Sequence, residues 1–100
     1  MRKIDLIRKI VDATGIDNYD VSVSLETAMV VIRKELENGG AVYLRGFGSF
    51  QLKKRKQKLA RNISKGTAVV VPEHYIPYFK PSPELKTKIA AAIAIQNHMR

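Results

Sequence analysis

The chain has 100 residues, with 18 Lys or Arg against 9 Asp or Glu, for a formal net charge of +9. That length holds a single domain, 1–100, and a hydrophobic content of 45% is too high for a disordered polycation. With no cysteine, a disulfide scaffold, a thiolate metal site and a cysteine nucleophile are all excluded. A basic domain with clustered charge points to nucleic acid, although an anionic membrane surface attracts the same charge. No stretch approaches the length of a membrane span. The apolar residues near the start are interrupted by Asp5, Arg8 and Lys9, so no signal-peptide core is read there and a cytoplasmic, membrane-free protein is expected.

Residues 3–13 predict a short amphipathic helix, with Ile4, Ile7 and Val11 at i, i+3 and i+7. Gly15 suits its C-terminal cap. A second helix is expected at about 18–38, with Asp17 as N-cap and Asp20 as a weak capping-box partner. Val21, Leu25, Ala28, Met29, Ile32 and Leu36 trace its apolar face, and Gly39-Gly40 ends it. Residues 41–45 read as a strand, Gly46-Phe47-Gly48 as a tight turn, and Ser49 onward as a second strand with Phe50 and Leu52 on one face.

The basic stretch 52–66 continues that strand. Seven of its fifteen residues are Lys or Arg, and no acidic residue falls between Glu37 and Glu73. Turn formers occupy 62–66, and the β-branched run 67–71 returns as a third strand. Pro72 and Pro77 restrict that strand to an edge or to interruptions. The basic stretch is thus a β-ribbon arm, within about 53–76, rather than a tail. Ser82, Pro83 and Glu84 open a last helix as N-cap, first-turn proline and first-turn acid. Leu85, Ile89 and Ile93 share a face, and residues 95–100 are expected to fray. The fold class is α+β: two N-terminal helices, a three-stranded antiparallel sheet extended into a long β-ribbon arm, and a C-terminal helix.

This body is too small to enclose Met29, Ile32, Leu44, Phe47, Phe50 and Phe79, so a second chain is expected to complete the core, most simply as a twofold homodimer. The cationic ribbon suits a groove of duplex DNA, where its charges would neutralise phosphates. Ile63 is apolar at the tip of a polar hairpin. It reads equally as a turn residue packed on its own strand and as a wedge between base steps. The Arg45-Gly46-Phe47-Gly48-Ser49-Phe50 run is not a dinucleotide loop, because no helix follows it. It departs from the RNA-recognition-motif pattern at Ser49. Tyr75, Tyr78 and Phe79 read as core. His74 and His98 have no partners at metal spacing, and Ser49, Ser64, Glu73 and Glu84 have no catalytic company. No enzyme activity, metal or cofactor is expected.

Gly46-Phe47-Gly48-Ser49-Phe50, followed at matching spacing by Arg55, Lys58, Arg61, Asn62 and Gly66, resembles the HU/integration host factor family of bacterial histone-like DNA-binding proteins, over residues 2 to 90. The resemblance implies an intertwined dimer whose paired arms reach round DNA in the minor groove, bending and compacting it in the nucleoid. HU and integration host factor are themselves standard examples of minor-groove architectural proteins. The resemblance places Phe47, Phe50 and Phe79 in an aromatic dimer core. It places Arg55, Lys58 and Arg61 on the arm against the minor groove and backbone, and Lys3, Lys80 and Lys86 where the body meets flanking DNA. The family usually has proline where this chain has Ile63. The expected DNA-contacting set is Lys3, Arg45, Lys53, Lys54, Arg55, Lys56, Lys58, Arg61, Asn62, Ile63, Lys65, Lys80 and Lys86. A heterodimer with a paralogue is the alternative assembly. An RNA or single-strand binder is the rival function, disfavoured because no aromatic lies between Phe50 and Tyr75. A dimerisation module with an incidental basic arm is the third reading.

Overall fold

A computed structural model describes residues 1–62 and 66–98. Helix α1 (Lys3–Thr14) begins with the Asp5 carboxylate accepting from the Arg2 backbone N–H at 2.9 Å, and ends at Gly15 with φ 73°. Asp5 thereby satisfies an unpaired donor and lies at the positive end of the helix dipole. Helix α2 (Asn18–Glu37) is capped by Asp17, whose side chain accepts from Tyr19 N–H at 3.0 Å. The reciprocal bond expected from Asp20 does not occur among the described residues. Helices α1 and α2 pack together, and the far part of α2 lies against the sheet.

Strand β1 (Val42–Leu44) turns into β2 (Gly48–Arg55) through Leu44–Phe47, closed by Phe47 N–H donating to the Leu44 carbonyl at 2.9 Å. Gly46 sits at φ 79°, the third position of a type II turn, where a side chain would be strained. Gly48 is required for a different reason: a Cβ there would meet the Phe79 ring and the Lys80 carbonyl at 2.6 Å.

Beyond β2 come β3 (Lys58–Asn62), β4 (Thr67–Val71) and β5 (His74–Pro81). The body sheet has the order β1-β2-β5, and β3-β4 form a separate two-stranded sheet. The third strand of the body sheet is therefore β5, a strand not singled out in the sequence, while the 67–71 strand pairs with β3 in the arm. Pairing stops after Arg55↔His74 and resumes at Lys58↔Val71, leaving Lys56 and Gln57 opposite Pro72 and Glu73. Pro72 has no N–H to donate, which accounts for a break there. Two residues face two, so nothing is inserted and one hairpin register runs through from body to arm. Pro77 is tolerated because β5 is an edge strand.

Helix α3 (Pro83–His98) starts where expected: Ser82 Oγ accepts from Leu85 N–H at 3.1 Å. The helix runs through residue 98, and its alanines have high helix propensity. It is tied to the sheet by Ser82 N–H donating to the Phe47 carbonyl at 2.9 Å.

The protomer encloses very little. Among the described residues only Ile7 and Val21 are buried apolar side chains. The accessible surface is 8673 Å², against about 5,700 Å² for a compact monomer of this mass. The radius of gyration is 19.3 Å, where a compact 100-residue domain has about 13 Å.

Candidate nucleic-acid interface

Strand side chains alternate between faces, and cross-strand partners share one. The register therefore sorts the body sheet without ambiguity. Val42, Leu44, Phe50, Leu52, Pro77 and Phe79 lie on one face. Tyr43, Ser49, Gln51, Lys53, Arg55, His74, Tyr78 and Lys80 lie on the other. The first face is apolar as far as Leu52 and Pro77, with Lys54 and Tyr75 beyond them, and the second is polar and cationic apart from Ile76. On the polar face Gln51 Nε2 donates to Ser49 Oγ at 2.7 Å, and Lys53 Nζ lies 4.8 Å from the Tyr78 ring centroid. That cation–π contact holds Lys53 along the sheet at a value of about 0.5–1 kcal/mol for an exposed site.

At one end of this face, Arg45 from the turn and Lys80 from β5 line a pocket of about 290 Å³ together with Tyr43, Ser49 and Ser82. These two cations are far apart in sequence, and the β2-β5 pairing brings them together beside the start of α3. At the other end the face runs into the arm. There Arg61 is paired with Ala68 and Leu59 with Val70. Leu59 is 73% exposed, and Val69 and Val70 are exposed too. The arm thus carries apolar as well as cationic side chains into solvent. Leu59 was passed over in the sequence, and the valines were read there only as the β-branched run of a returning strand.

The remaining expected contacts fall elsewhere. Lys54 points to the opposite face from Lys53 and Arg55, and its Nζ lies 2.8 Å from Glu73 Oε1. Lys56 and Lys58 stand at the break in the ribbon. Lys3, on α1, is ion-paired with Glu26 of α2. Lys86 is exposed on α3. The backbone of Asn62 ends β3, while Ile63 and Lys65 lie outside the described residues.

Phe79 is the hub of the aromatic set, with ring centroids 5.5 Å from Phe47 and 5.1 Å from Phe50. The set is open to one side: Phe47 is 49% exposed. Next to it, α2 and the apolar sheet face leave a groove of about 580 Å³ lined by Met29, Ile32, Leu36, Phe50, Leu52 and Pro77. Of the tyrosines expected in the core, neither is there: Tyr75 is 63% exposed and Tyr78 is also exposed. Alternation explains Tyr78, which must face away from Phe79. Tyr75 lies opposite Lys54, beyond the reach of α2.

Three helices, an antiparallel sheet and a projecting ribbon that carries cationic and exposed apolar side chains define the α+β fold of a β-arm protein. The family model described as bacterial DNA-binding protein matches residues 1–90, and the chain belongs to that family. Over 70 residues it is 39% identical to integration host factor subunit beta of Paraburkholderia phytofirmans, covering 70% of this chain and 65% of that protein. It is 32% identical over 76 residues to the corresponding subunit of Xanthomonas campestris pv. campestris, covering 76% of this chain and 74% of that one. The chain therefore spans slightly less than two thirds of the length of the first of these relatives. In fold it is similar to HU of Anabaena in a cocrystal with DNA, at a TM-score of 0.85 and 26% identity over 90% of this chain and 98% of that one. It is also similar to HU of Thermotoga maritima, at 0.63 and 28% over 89% and 98%. The family's members are structural DNA-binding proteins rather than enzymes. Among the described residues no helix is long and apolar enough to cross a membrane.

Proposed function

We propose that this chain is an architectural protein of double-stranded DNA, acting as a single domain within a twofold dimer whose two arms enter the minor groove and bend the duplex. The observation that carries the reading is the unbroken register from body sheet to arm, which aligns Lys80, Lys53, Arg55 and Arg61 along one ribbon. A two-stranded ribbon fits a duplex groove, and its cations release counterions from the phosphates they meet. Arg45 and Lys80 beside α3, with Lys86 and Lys3, serve the flanking DNA. Lys54, Lys56, Lys58, Asn62 and Lys65 complete the arm's set, and Ile63 acts as the wedge that opens a base step. Unstacking one step costs about a few kcal/mol, which backbone contacts along the arms and body must offset.

The dimer is supported by what one protomer leaves open: the surface excess, the half-exposed Phe47 and the apolar groove beside it. A second copy offers the same apolar face in return, as a twofold interface requires. A homodimer is the assembly proposed, and mixing with a paralogue would distinguish it from a heterodimer. The working place of such a protein is the nucleoid.

Equilibrium binding to straight, nicked and random duplexes across a salt series tests the reading. About eight phosphates neutralised per dimer give a slope of log K against log salt near −7; affinity independent of salt would refute it. Ile63→Ala should reduce bending, read by energy transfer on end-labelled DNA, more than it reduces binding.

One observation favours the single-strand alternative: Tyr43 is 74% exposed and shares the polar face with exposed Tyr78. Exposed aromatics on a sheet can stack bases. Competition between duplex, single strand and RNA separates the two readings. The duplex is expected to win because the arm lacks aromatics and carries the charge.

A further inference from the structure

Helix α2 has three sides, and the protomer uses two of them. Met29, Ile32 and Leu36 line the groove against the sheet. Ser22 and Glu26 lie beside α1, across a pocket shared with Ile4, Ile7 and Val11. The third side carries Asp20, Val23, Thr27, Val30 and Lys34, all of them exposed. At 3.6 residues per turn these five positions form one stripe, about 200° round the helix from the groove side. Steps of three and four residues alternate along it, which is the heptad spacing of a seam between helices. Val31, exposed as well, widens the stripe. Apolar side chains gathered on one exposed strip of a helix, with charges at its ends, mark a surface for another helix.

The charges identify that helix. Glu26 is ion-paired with Lys3, and Arg33 with Glu37 at 3.1 Å, whereas Asp20 and Lys34 have no ion pair among the described residues. Asp20 stands seven residues before Thr27 and Lys34 seven after it. The stripe is therefore acidic at one end, basic at the other and symmetric in spacing about its middle. Laid antiparallel on a second copy of itself, with Thr27 at the twofold axis, it sets Asp20 of each copy against Lys34 of the other and valines against valines. A parallel pairing would set like charge against like. Such self-complementarity is what a twofold contact requires. The valines supply the burial, and the charges fix register and orientation.

We propose that the outer side of α2 is a second interface between copies of this chain, which joins two DNA-binding dimers back to back so that one assembly holds two duplexes. The inference rests on the dimer and DNA reading above and adds a contact and an activity to it. The dimer proposed there is closed by the groove side of α2, so the two contacts can form together. Because α2 meets the sheet with its inner side, the seam faces away from the sheet that carries the arm. Joined dimers therefore present their arms in opposite directions.

The test compares the full chain with its Asp20→Lys, Lys34→Asp and Thr27→Arg variants and with the Asp20→Lys/Lys34→Asp double reversal. Self-association without DNA is followed by sedimentation velocity across a concentration series. Bridging is followed by capture of a labelled duplex on beads that carry an unlabelled one. The parent should pass from dimer to tetramer and capture the labelled duplex. Each single variant opposes like charges at the contact and should weaken tetramer formation by about tenfold or more, with a matching loss of capture. The double reversal keeps the net charge and should restore both, with affinity for a single duplex equal to the parent's. A parent that stays dimeric at every concentration would overturn the inference. So would equal association in the parent and all three single variants, or a double reversal no better than its components. Loss of duplex binding at low salt in every protein, with tetramers still formed, would instead overturn the functional reading and the bridging, and leave the contact between copies standing.

Discussion

Below the break in the ribbon, β2 and β5 have an apolar face that meets α2, and the Phe47, Phe50 and Phe79 rings gather there. Above it, β3 and β4 continue the same register, and among the described residues they pack mainly on each other. The two regions share one hairpin and differ in what supports it. In the body, burial of large side chains supplies the stability and the cations ride on the opposite face. In the arm, the strands have only each other, and an isolated two-stranded hairpin is marginal in water. A single register can thus serve two purposes: the body sets the direction of the ribbon, and the arm is left free of packing so that both its faces can meet a ligand.

The largest expected effect falls on the body. Phe79→Ala removes the ring that contacts both Phe47 and Phe50 and should cost about 3–5 kcal/mol, read by chemical unfolding at several protein concentrations. A loss under about 1 kcal/mol would mean that the aromatic set is not the core. Next is the arm's contribution to DNA binding. Arg55→Ala with Arg61→Ala should leave unfolding nearly unchanged and reduce the salt slope by about 0.9 for each phosphate no longer neutralised. An unchanged slope would move the binding surface off the arm. Third, amide exchange should separate the regions. Lys58–Asn62 and Thr67–Val71 should exchange at least about a hundredfold faster than the β2-β5 pairs, since local stability follows packing; equal protection would dissolve the comparison. Smaller again, Ser82→Ala should destabilise by about 1 kcal/mol through loss of the α3 cap. DNA affinity, measured on fully folded protein, should not change. The smallest effect is expected for Glu73→Gln, which breaks an exposed pair with Lys54 and should alter stability by less than about 1 kcal/mol.

What the sequence made legible was local. Gly15 and Gly39 end helices, Asp17 and Ser82 begin them, and Gly46 makes its turn through interactions within a few residues, so composition and spacing reveal them. The third body strand was hidden because His74–Pro81 contains two prolines and gains its strand character from β2, a partner distant in sequence. The more regular run 67–71 was read as the returning strand of the ribbon, and no strand was named after it. The same nonlocal pairing sorts the cations. Lys53, Lys54 and Arg55 are neighbours in sequence, yet Lys54 turns to the other face and to Glu73. Arg45 and Lys80 meet only because the sheet closes. Tyr75 and Tyr78 looked like core beside Phe79, but alternation turns Tyr78 to the other face, and Tyr75, on the face of Phe79, lies further towards the arm opposite Lys54.

That the body holds the fold and the arm holds the DNA can be tested on one variant in which residues 58–71 are replaced by Asn-Gly. Salt-dependent duplex affinity should be measured on it beside thermal unfolding. A folded dimer is expected, with a melting temperature within a few degrees of the parent, since an arm without packing contributes little (about 4–8 °C corresponds to 1 kcal/mol in a domain of this size). The salt slope is expected to fall by several units. An unfolded body, or a slope equal to the parent's, would contradict this division of labour.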